Sequence, residues 1–329
     1  MEQHPLTDFF DQKVQKTTGK NNRTIYKMNN ETGEGIITQY IILPGIQFFY
    51  NDFHMSNGQN QNKLPHADVL ELNHCREGRF ECRFANGTYQ YIGSGDLAIN
   101  LLSNQTVSTS FPLSHYHGIS ITIDLQKADS VIRKIGEMTG GLDIDLFSIA
   151  NGYCKNGTCA VIRNQNKINH IFSELYCTEP YMHASYLKVK VLELLLYLGT
   201  EKIQNTQVKV PYFAHTQVKK VKEIQKYMVS NLRQHYTLEQ LSEQFDIPLT
   251  SMKACFKGVF GCSIYAYIKS YRMQAATVLL QNSDCSITEI AMKMGYDNPS
   301  KFSEVFKKEY EMTPSEFRKK YIKAFERNT

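Results

Sequence analysis

Hydrophobic and polar positions change rhythm twice along this chain. Up to about residue 40 the sequence is polar, and NNRTIYKMNNETGEG reads as loop. From Gln39 to Asn104, short apolar runs alternate with polar residues and are broken by Gly, Asn and Asp, the pattern of β-strands. YIILPGIQFFYNDF and ADVLELNHCREG are two such runs, and FECRFANGTYQY is a third, whose Asn86-Gly87 pair predicts a tight hairpin turn. GSGD at 93–96 predicts another turn, and HYHGISITIDL at 115–125 a further strand. Many short strands at this spacing imply a small barrel or sandwich. The period then lengthens to that of helices, expected over Asp129–Met138, Lys167–Cys177 and from about His183 to Ile203. In the last, Leu187, Val191, Leu194, Leu195 and Leu198 share one face, suited either to packing on the strands or to a homodimer seam. Gln204–His215, polar and containing Pro211, predicts a linker, and everything after it is helical.

The helical third contains a repeat. TLEQLSEQFDIPLTSMKACFKGVF (Thr237–Phe260) aligns with SITEIAMKMGYDNPSKFSEVFKKEY (Ser286–Tyr310) once one extra residue is allowed in the second turn. Thr237 matches Ser286 as an N-cap; Leu238, Leu241 and Phe245 match Ile287, Ile290 and Met294; Met252, Phe256 and Phe260 match Phe302, Phe306 and Tyr310. Each copy reads as helix, tight turn, helix, broken by Asp246-Ile247-Pro248 in the first and by Gly295 to Pro299 in the second. With the apolar positions packed together, the wet face of the second helix offers Thr250, Ser251, Lys253 and Lys257 in one copy. In the other it offers Ser300, Lys301, Ser303, Glu304 and Lys307. Hydroxyls and cations near the start of an exposed helix are what a helix-turn-helix presents to base edges and phosphates. Ser263 to about Gln281 predicts one unbroken helix between the copies, about 28 Å long at ~1.5 Å per residue. Successive major-groove faces lie ~34 Å apart, so such a rod is suited to hold two reader helices on one face of DNA. Arg272 on it is suited to a phosphate or to an acidic partner.

Charge sharpens this picture. Residues 212–329 hold 18 Lys and Arg against 12 Asp and Glu, whereas the whole chain has a net charge of only +5. The basic excess therefore sits in the helical third and points to an anionic partner there. The polar N-terminus, MEQHPLTDFFDQKVQ, lacks the apolar core of a signal peptide. Val191–Leu198, the longest apolar run, falls far short of the ~20 residues of a membrane span. Both features predict a soluble, cytoplasmic protein without a membrane partner, and its 8 cysteines are then expected reduced.

FKGVFGCSIYAYIKSYRMQAATVLLQ followed by SITEIAMKMGYDNPSKFSEVFKKEYEMTPSEFRKK closely resembles the AraC/XylS family of bacterial transcription regulators, over about 110 residues. The likeness includes I-x-E-I-A, the Gly-Tyr turn, F-x-x-x-F-K-K and T-P-x-x-F-R; Glu311 departs from it, standing where the family commonly has Gly. The resemblance implies two helix-turn-helix units on a linker helix, double-stranded operator DNA and RNA polymerase as partners, and contacts from Thr250, Ser251, Lys253, Lys257, Ser300, Lys301, Ser303 and Glu304, with Lys307 toward phosphate. The strands and helices before it are similar to the cupin-like barrel of many members, which senses a small molecule while the helices after it dimerise. HCREGRFECRF and GSGDLAINLLS particularly resemble the subgroup of siderophore-responsive regulators. The expected architecture is thus multidomain α+β: a cupin-like β-barrel over 1–125 with an effector site, helices over 126–203, a linker at 204–215, and an all-α DNA-binding domain over 216–323.

Candidate chemistry elsewhere is sparse. His115 and His117, two apart on a predicted strand, would point to one face and start a metal site if His66 or His74 completed it. Cys154 and Cys159 are a close pair. Arg76, Arg79 and Arg83 offer either a site for an acidic ligand or an exposed strand face. No nucleophile–base arrangement, phosphate loop or dinucleotide fingerprint stands out, so neither catalysis nor a cofactor is expected. The alternatives to an effector-controlled regulator are a cupin-type metalloenzyme with an appended binding module, and a DNA-binding protein without an effector.

Overall fold

From Gln15 onward the polar opening of the chain forms strands, not a loop. This computed structural model describes residues 14–18, 23–60, 68–85, 87–102, 106–154, 159–177, 183–200 and 213–326. In it β1 (Gln15–Thr18), β2 (Arg23–Asn30) and β3 (Gly33–Leu43) pair antiparallel. A strand near the margin of a sheet needs apolar residues on one face only, and in β2 Tyr26 alone is buried, so the apolar signal is nearly silent. Asn30 makes the turn by accepting the Thr32 N–H at 2.8 Å. Gly33 follows at φ +141°, where a Cβ would lie 1.9 Å from the His54 carbonyl oxygen.

The remaining strands among the described residues are β4 (Ile46–His54), β5 (Asn57–Asn60), β6 (Val69–Phe84), β7 (Thr88–Gly93), β8 (Leu97–Leu101), β9 (Thr106–Ser110), β10 (Tyr116–Asp124), β11 (Ala160–Ile162) and β12 (Phe213–Ala214). The sheet runs β1-β2-β3-β4-β10-β6-β7-β12. The spine is β6: its first half pairs with β10 and β8, its second half with β7 and β9, which curves the sheet into a half-barrel. Asn86 lies outside the described residues; Gly87 has φ +78° and its N–H reaches the Phe84 carbonyl at 3.0 Å. The helices described alongside this sheet are α1 (Leu125–Met138), α2 (Leu146–Tyr153), α3 (Asn166–Tyr176) and α4 (His183–Thr200). The pattern of residues 146–153 gave no hint of α2. LFSIANGY carries turn-forming Asn-Gly, but Asp145 caps it through the Ser148 N–H at 2.8 Å, and Leu146, Ile149, Ala150 and Tyr153 are buried.

One face of the sheet packs on these helices. Phe48, Leu72, Ile119 and Ile121 meet Phe172 and the helical leucines in one core. Leu187, Val191, Leu194, Leu195 and Leu198 are all fully buried there, so the apolar face of α4 is used within the chain. The opposite face carries Ile37, Phe49, Phe53 and Tyr116. Two hydrogen-bonded polar groups also lie within the sheet. Tyr26 donates to Gln39 Oε1 at 2.8 Å, Gln39 to Gln47 at 2.6 Å, Asn51 to Ser120 at 2.8 Å and Tyr116 to Asn73 at 2.6 Å.

The second compact unit begins at His215, the first ending at Ala214. It contains α5 (His215–Ser230), α6 (Leu238–Gln244), α7 (Leu249–Phe260), α8 (Ile264–Asn282), α9 (Ile287–Lys293), α10 (Pro299–Tyr310) and α11 (Pro314–Glu326). The unbroken helix expected from Ser263 is α8, with Ser263 as its cap. No helix among the described residues is long and apolar enough to cross a membrane.

His74 belongs to the first core. Its ring stacks on Phe172 at 4.0 Å between centroids, with Tyr176 Oη 3.2 Å from Nδ1 and Asn169 Oδ1 3.3 Å from Nε2. Burial pushes its pKa down to about 4. As pH falls below the ordinary histidine value of about 6.5, the unfolded chain takes up the proton first, so stability present above that pH drains away as pH approaches 4. Denaturation of the wild type is therefore expected to lose up to about 3 kcal/mol more between pH 7 and 4 than that of His74→Gln; equal pH slopes would exclude this role.

Candidate nucleic-acid interface

The two helix-turn-helix units share more than their sequence pattern. Both first helices begin with a capping box: Thr237 with Gln240, and Ser286 with Glu289. Backbone and hydroxyl hydrogen bonds from Ser286 hold the Glu289 carboxyl below the usual carboxylate range. Both first helices also end in the same closure. The Ile247 N–H reaches the Ser242 carbonyl at 3.0 Å and the Asp246 N–H reaches that of Glu243 at 3.2 Å. In the second copy the Tyr296 N–H reaches the Ala291 carbonyl at 2.9 Å and that of Gly295 reaches Met292 at 3.0 Å. This doubled bond requires a left-handed residue just after the helix. Asp246 takes it at φ +47° and Gly295 at φ +76°.

Each closure is braced. Lys220 Nζ lies 3.1 Å from Asp246 Oδ2 and also contacts the Asp246 carbonyl. At the second, His235 Nε2 is 2.7 Å from the Gly295 carbonyl, and Arg272 donates to the Gln234 carbonyl at 2.9 Å. Arg272 thus serves neither a phosphate nor an acid. It is 8% exposed, its pKa is lowered by burial, and Tyr236 and Tyr296 lie near it. A Cβ on Gly295 would stand 2.8 Å from the Leu232 carbonyl oxygen and 3.0 Å from that of Arg233, so only glycine fits.

These turns present α7 and α10 with opposite faces buried and wet. In α7, Met252, Cys255, Phe256, Val259 and Phe260 are buried, while Thr250, Lys253 and Lys257 are exposed and Ser251 is half-buried. In α10, Phe302 and Phe306 are buried, while Ser300, Lys301, Glu304 and Lys307 are exposed. Ser303 is half-buried and donates to the Pro299 carbonyl at 2.9 Å, so its proton is already engaged. Asn298, treated in the sequence only as part of a breaker, caps α10 by accepting the N–H groups of Ser300 at 2.9 Å and Lys301 at 3.4 Å. Helix α7 starts at Pro248 with no side-chain cap, which leaves its first N–H groups for another acceptor.

The other candidates do not assemble. His66 lies outside the described residues. His115 precedes β10 instead of lying on it, its Nδ1 3.2 Å from the Leu113 carbonyl, so it does not share a strand face with His117. His74 is locked in the core. Cys154 is free and buried, its thiol pushed up to about 11, and burial pushes the free Cys159 thiol well up too, so neither is a thiolate at neutral pH. Arg76 lies over the Tyr176 ring at 5.0 Å and Arg79 over Tyr91 at 5.8 Å, while Arg83 hydrogen-bonds Tyr89.

Residues 241–320 match the family described as Helix-turn-helix domain. Over 110 residues, 33% of this chain and 40% of the other, the sequence is 28% identical to HTH-type transcriptional activator RhaR of Mannheimia succiniciproducens. It is 35% identical over 98 residues to HTH-type transcriptional regulator ExsA of Pseudomonas aeruginosa, 30% of this chain and 35% of that one. With the lactose operon transcription activator of Staphylococcus xylosus it shares 31% over 120 residues, 35% and 43% of the two chains. The matches thus span less than half the length of these relatives. Among solved structures, ToxT of Vibrio cholerae superposes only loosely, with TM-score 0.29, 17% identity and coverage of 82% of this chain and 97% of that one.

Glu311 ends α10 at φ +59°, a left-handed position where a side chain costs about 1 kcal/mol. Glu311→Gly is expected to stabilise the helical unit by about 1 kcal/mol in chemical denaturation. Gly295→Ala is expected to destabilise it by at least about 2 kcal/mol. The reverse order would contradict the turn geometry.

Proposed function

The C-terminal unit of this chain is a helix-turn-helix domain of the AraC/XylS family, and on that basis we propose that the protein is a sequence-specific transcription regulator whose two reader helices, α7 and α10, enter adjacent major grooves of double-stranded DNA. The observation that carries this reading is the duplicated closure: two left-handed turns, each followed by a helix with a buried aromatic side and an exposed side of hydroxyls and cations. Thr250, Ser251, Lys253 and Lys257 act from the first reader, and Ser300, Lys301, Ser303, Glu304 and Lys307 from the second. Lys and Ser near a helix start suit guanine edges and phosphates, Glu304 accepts from a cytosine amino group, and Ser303 serves as an acceptor because its proton is spent within the helix. The uncapped start of α7 adds backbone N–H groups suited to a phosphate. Helix α8, 19 residues and about 28 Å long, is close to the ~34 Å spacing of successive groove faces.

The N-terminal half-barrel acts in this reading as a small-molecule sensor. Its support is two hydrogen-bonded polar groups within the sheet, Tyr26–Gln39–Gln47 and Asn51–Ser120–Asn73–Tyr116, together with Glu71, whose carboxyl burial raises to about 7. A ligand that binds one packing of the protein better than another shifts the fraction competent to hold both half-sites. RhaR and the lactose operon protein are named transcription activators, and we extend activation, with RNA polymerase as partner, to this chain. Homodimerisation and a cytoplasmic location belong to the same proposal, as does binding without catalysis.

Lys253→Ala and Lys301→Ala are each expected to weaken binding to the DNA upstream of the protein's own gene, by about 1–3 kcal/mol where the lysine reads a base. Where it meets only a phosphate, the slope of log affinity against log salt falls by about 1. Fluorescence anisotropy across a salt series reads both. Wild-type affinity and slope in both variants would sink the assignment of α7 and α10 as readers.

A further inference from the structure

The geometry points to a divalent transition-metal site on the N-terminal half-barrel, formed by Asp52, His54 and His117, a set that does not depend on the DNA-binding reading. Asp52 and His54 are two apart on β4 and so share a face, and His117 on β10 is the register partner of Asp52. All three project on the helix side of the sheet, beyond Tyr50 and Ile119, where the helical cover ends and the side chains are 35–59% exposed. His54 Nε2 lies 3.0 Å and His117 Nε2 2.9 Å from the same oxygen, Asp52 Oδ1, and the three ligand atoms all lie within 4.8 Å of one another. The two rings meet edge to face at 5.3 Å.

Ordinary hydrogen bonding does not account for this oxygen. Asp52 Oδ1 is closed off from solvent and receives no hydrogen bond of acceptable geometry from the described residues, although two ring nitrogens stand beside it. Zinc bonds of about 2.0–2.1 Å in a tetrahedron set ligand atoms about 3.3 Å apart, so the two nitrogen–oxygen separations need widen by only a few tenths of an ångström to admit the ion. Two neutral imidazoles and one carboxylate select zinc, nickel, cobalt or iron over magnesium and calcium, which take oxygen ligands. Glu34 and Glu77 are register partners of His54 and His117 but fall outside the converging set, so the remaining coordination positions open to water or a ligand. His74 is next in line on β6, opposite Ile119, and is excluded because Phe172 and Tyr176 hold its ring.

The test uses the full chain without a histidine tag, stripped by chelator and titrated with Zn²⁺ by calorimetry and with Co²⁺ by visible absorption. One saturable equivalent is expected, with a four-coordinate Co²⁺ spectrum free of thiolate charge-transfer bands. His54→Ala and His117→Ala should each weaken it at least about tenfold, and His115→Ala should not. The wild-type stoichiometry and Co²⁺ spectrum stand as readouts even if a variant folds poorly. Absence of saturable binding, thiolate bands in the wild type, or one equivalent retained in the His54→Ala/His117→Ala double variant would overturn the site.

Discussion

A sign change in one backbone angle governs what the C-terminal unit can present. Each short first helix ends with a left-handed residue, Asp246 or Gly295, and the two hydrogen bonds that close over it turn the chain into the second helix. Without that turn the buried faces of α7 and α10 would not meet their cores, and the exposed faces would not be set at an angle. The two copies solve the same constraint differently. Asp246 tolerates the strain with Lys220 against its carboxylate and carbonyl, whereas Gly295 is hemmed in by two carbonyls and the Arg272 guanidinium and has no substitute.

Around the second turn, burial reassigns residues that look functional. Arg272 has the character of a phosphate ligand, yet it sits inside the unit and hydrogen-bonds the carbonyl of Gln234, just ahead of α6. The same logic runs through the half-barrel. His74, Cys154 and Cys159 carry reactive groups, but burial holds them in their neutral forms. Exposed groups at the end of β4 and near the start of β10 are the ones placed to meet an ion, because the helical cover stops short of them.

The repeat, the caps of the two first helices, the tight turn at Gly295 and the apolar–polar split of the reader helices were legible in the sequence. All rest on contacts within three or four residues, which fix local geometry whatever the rest of the chain does. Thr237 and Ser286 cap because their hydroxyls accept the N–H three places on, while the Gln240 and Glu289 side chains accept the cap's own N–H; Phe302 and Phe306 are core because they share a helical face. Helix α2 and strands β1–β3 were not legible, or only partly so. Strands β1–β3 pair with their neighbours in sequence, but the apolar content of β1 and β2 is too thin to mark them, and the residues that α2 packs against lie far along the chain.

Residue order alone thus specifies a two-part chain ending in paired helix-turn-helix units, with Thr250, Lys253, Lys257, Ser300, Lys301, Glu304 and Lys307 on the exposed sides of their readers. Which polar groups are withdrawn was settled by packing in three dimensions: Arg272 and His74 into cores, His115 off its strand. Packing also brought His117 to Asp52 and His54, which stand far earlier in the chain. Register between β4 and β10 sets that meeting, and strand pairing at such separation depends on the whole sheet rather than on any local run of residues.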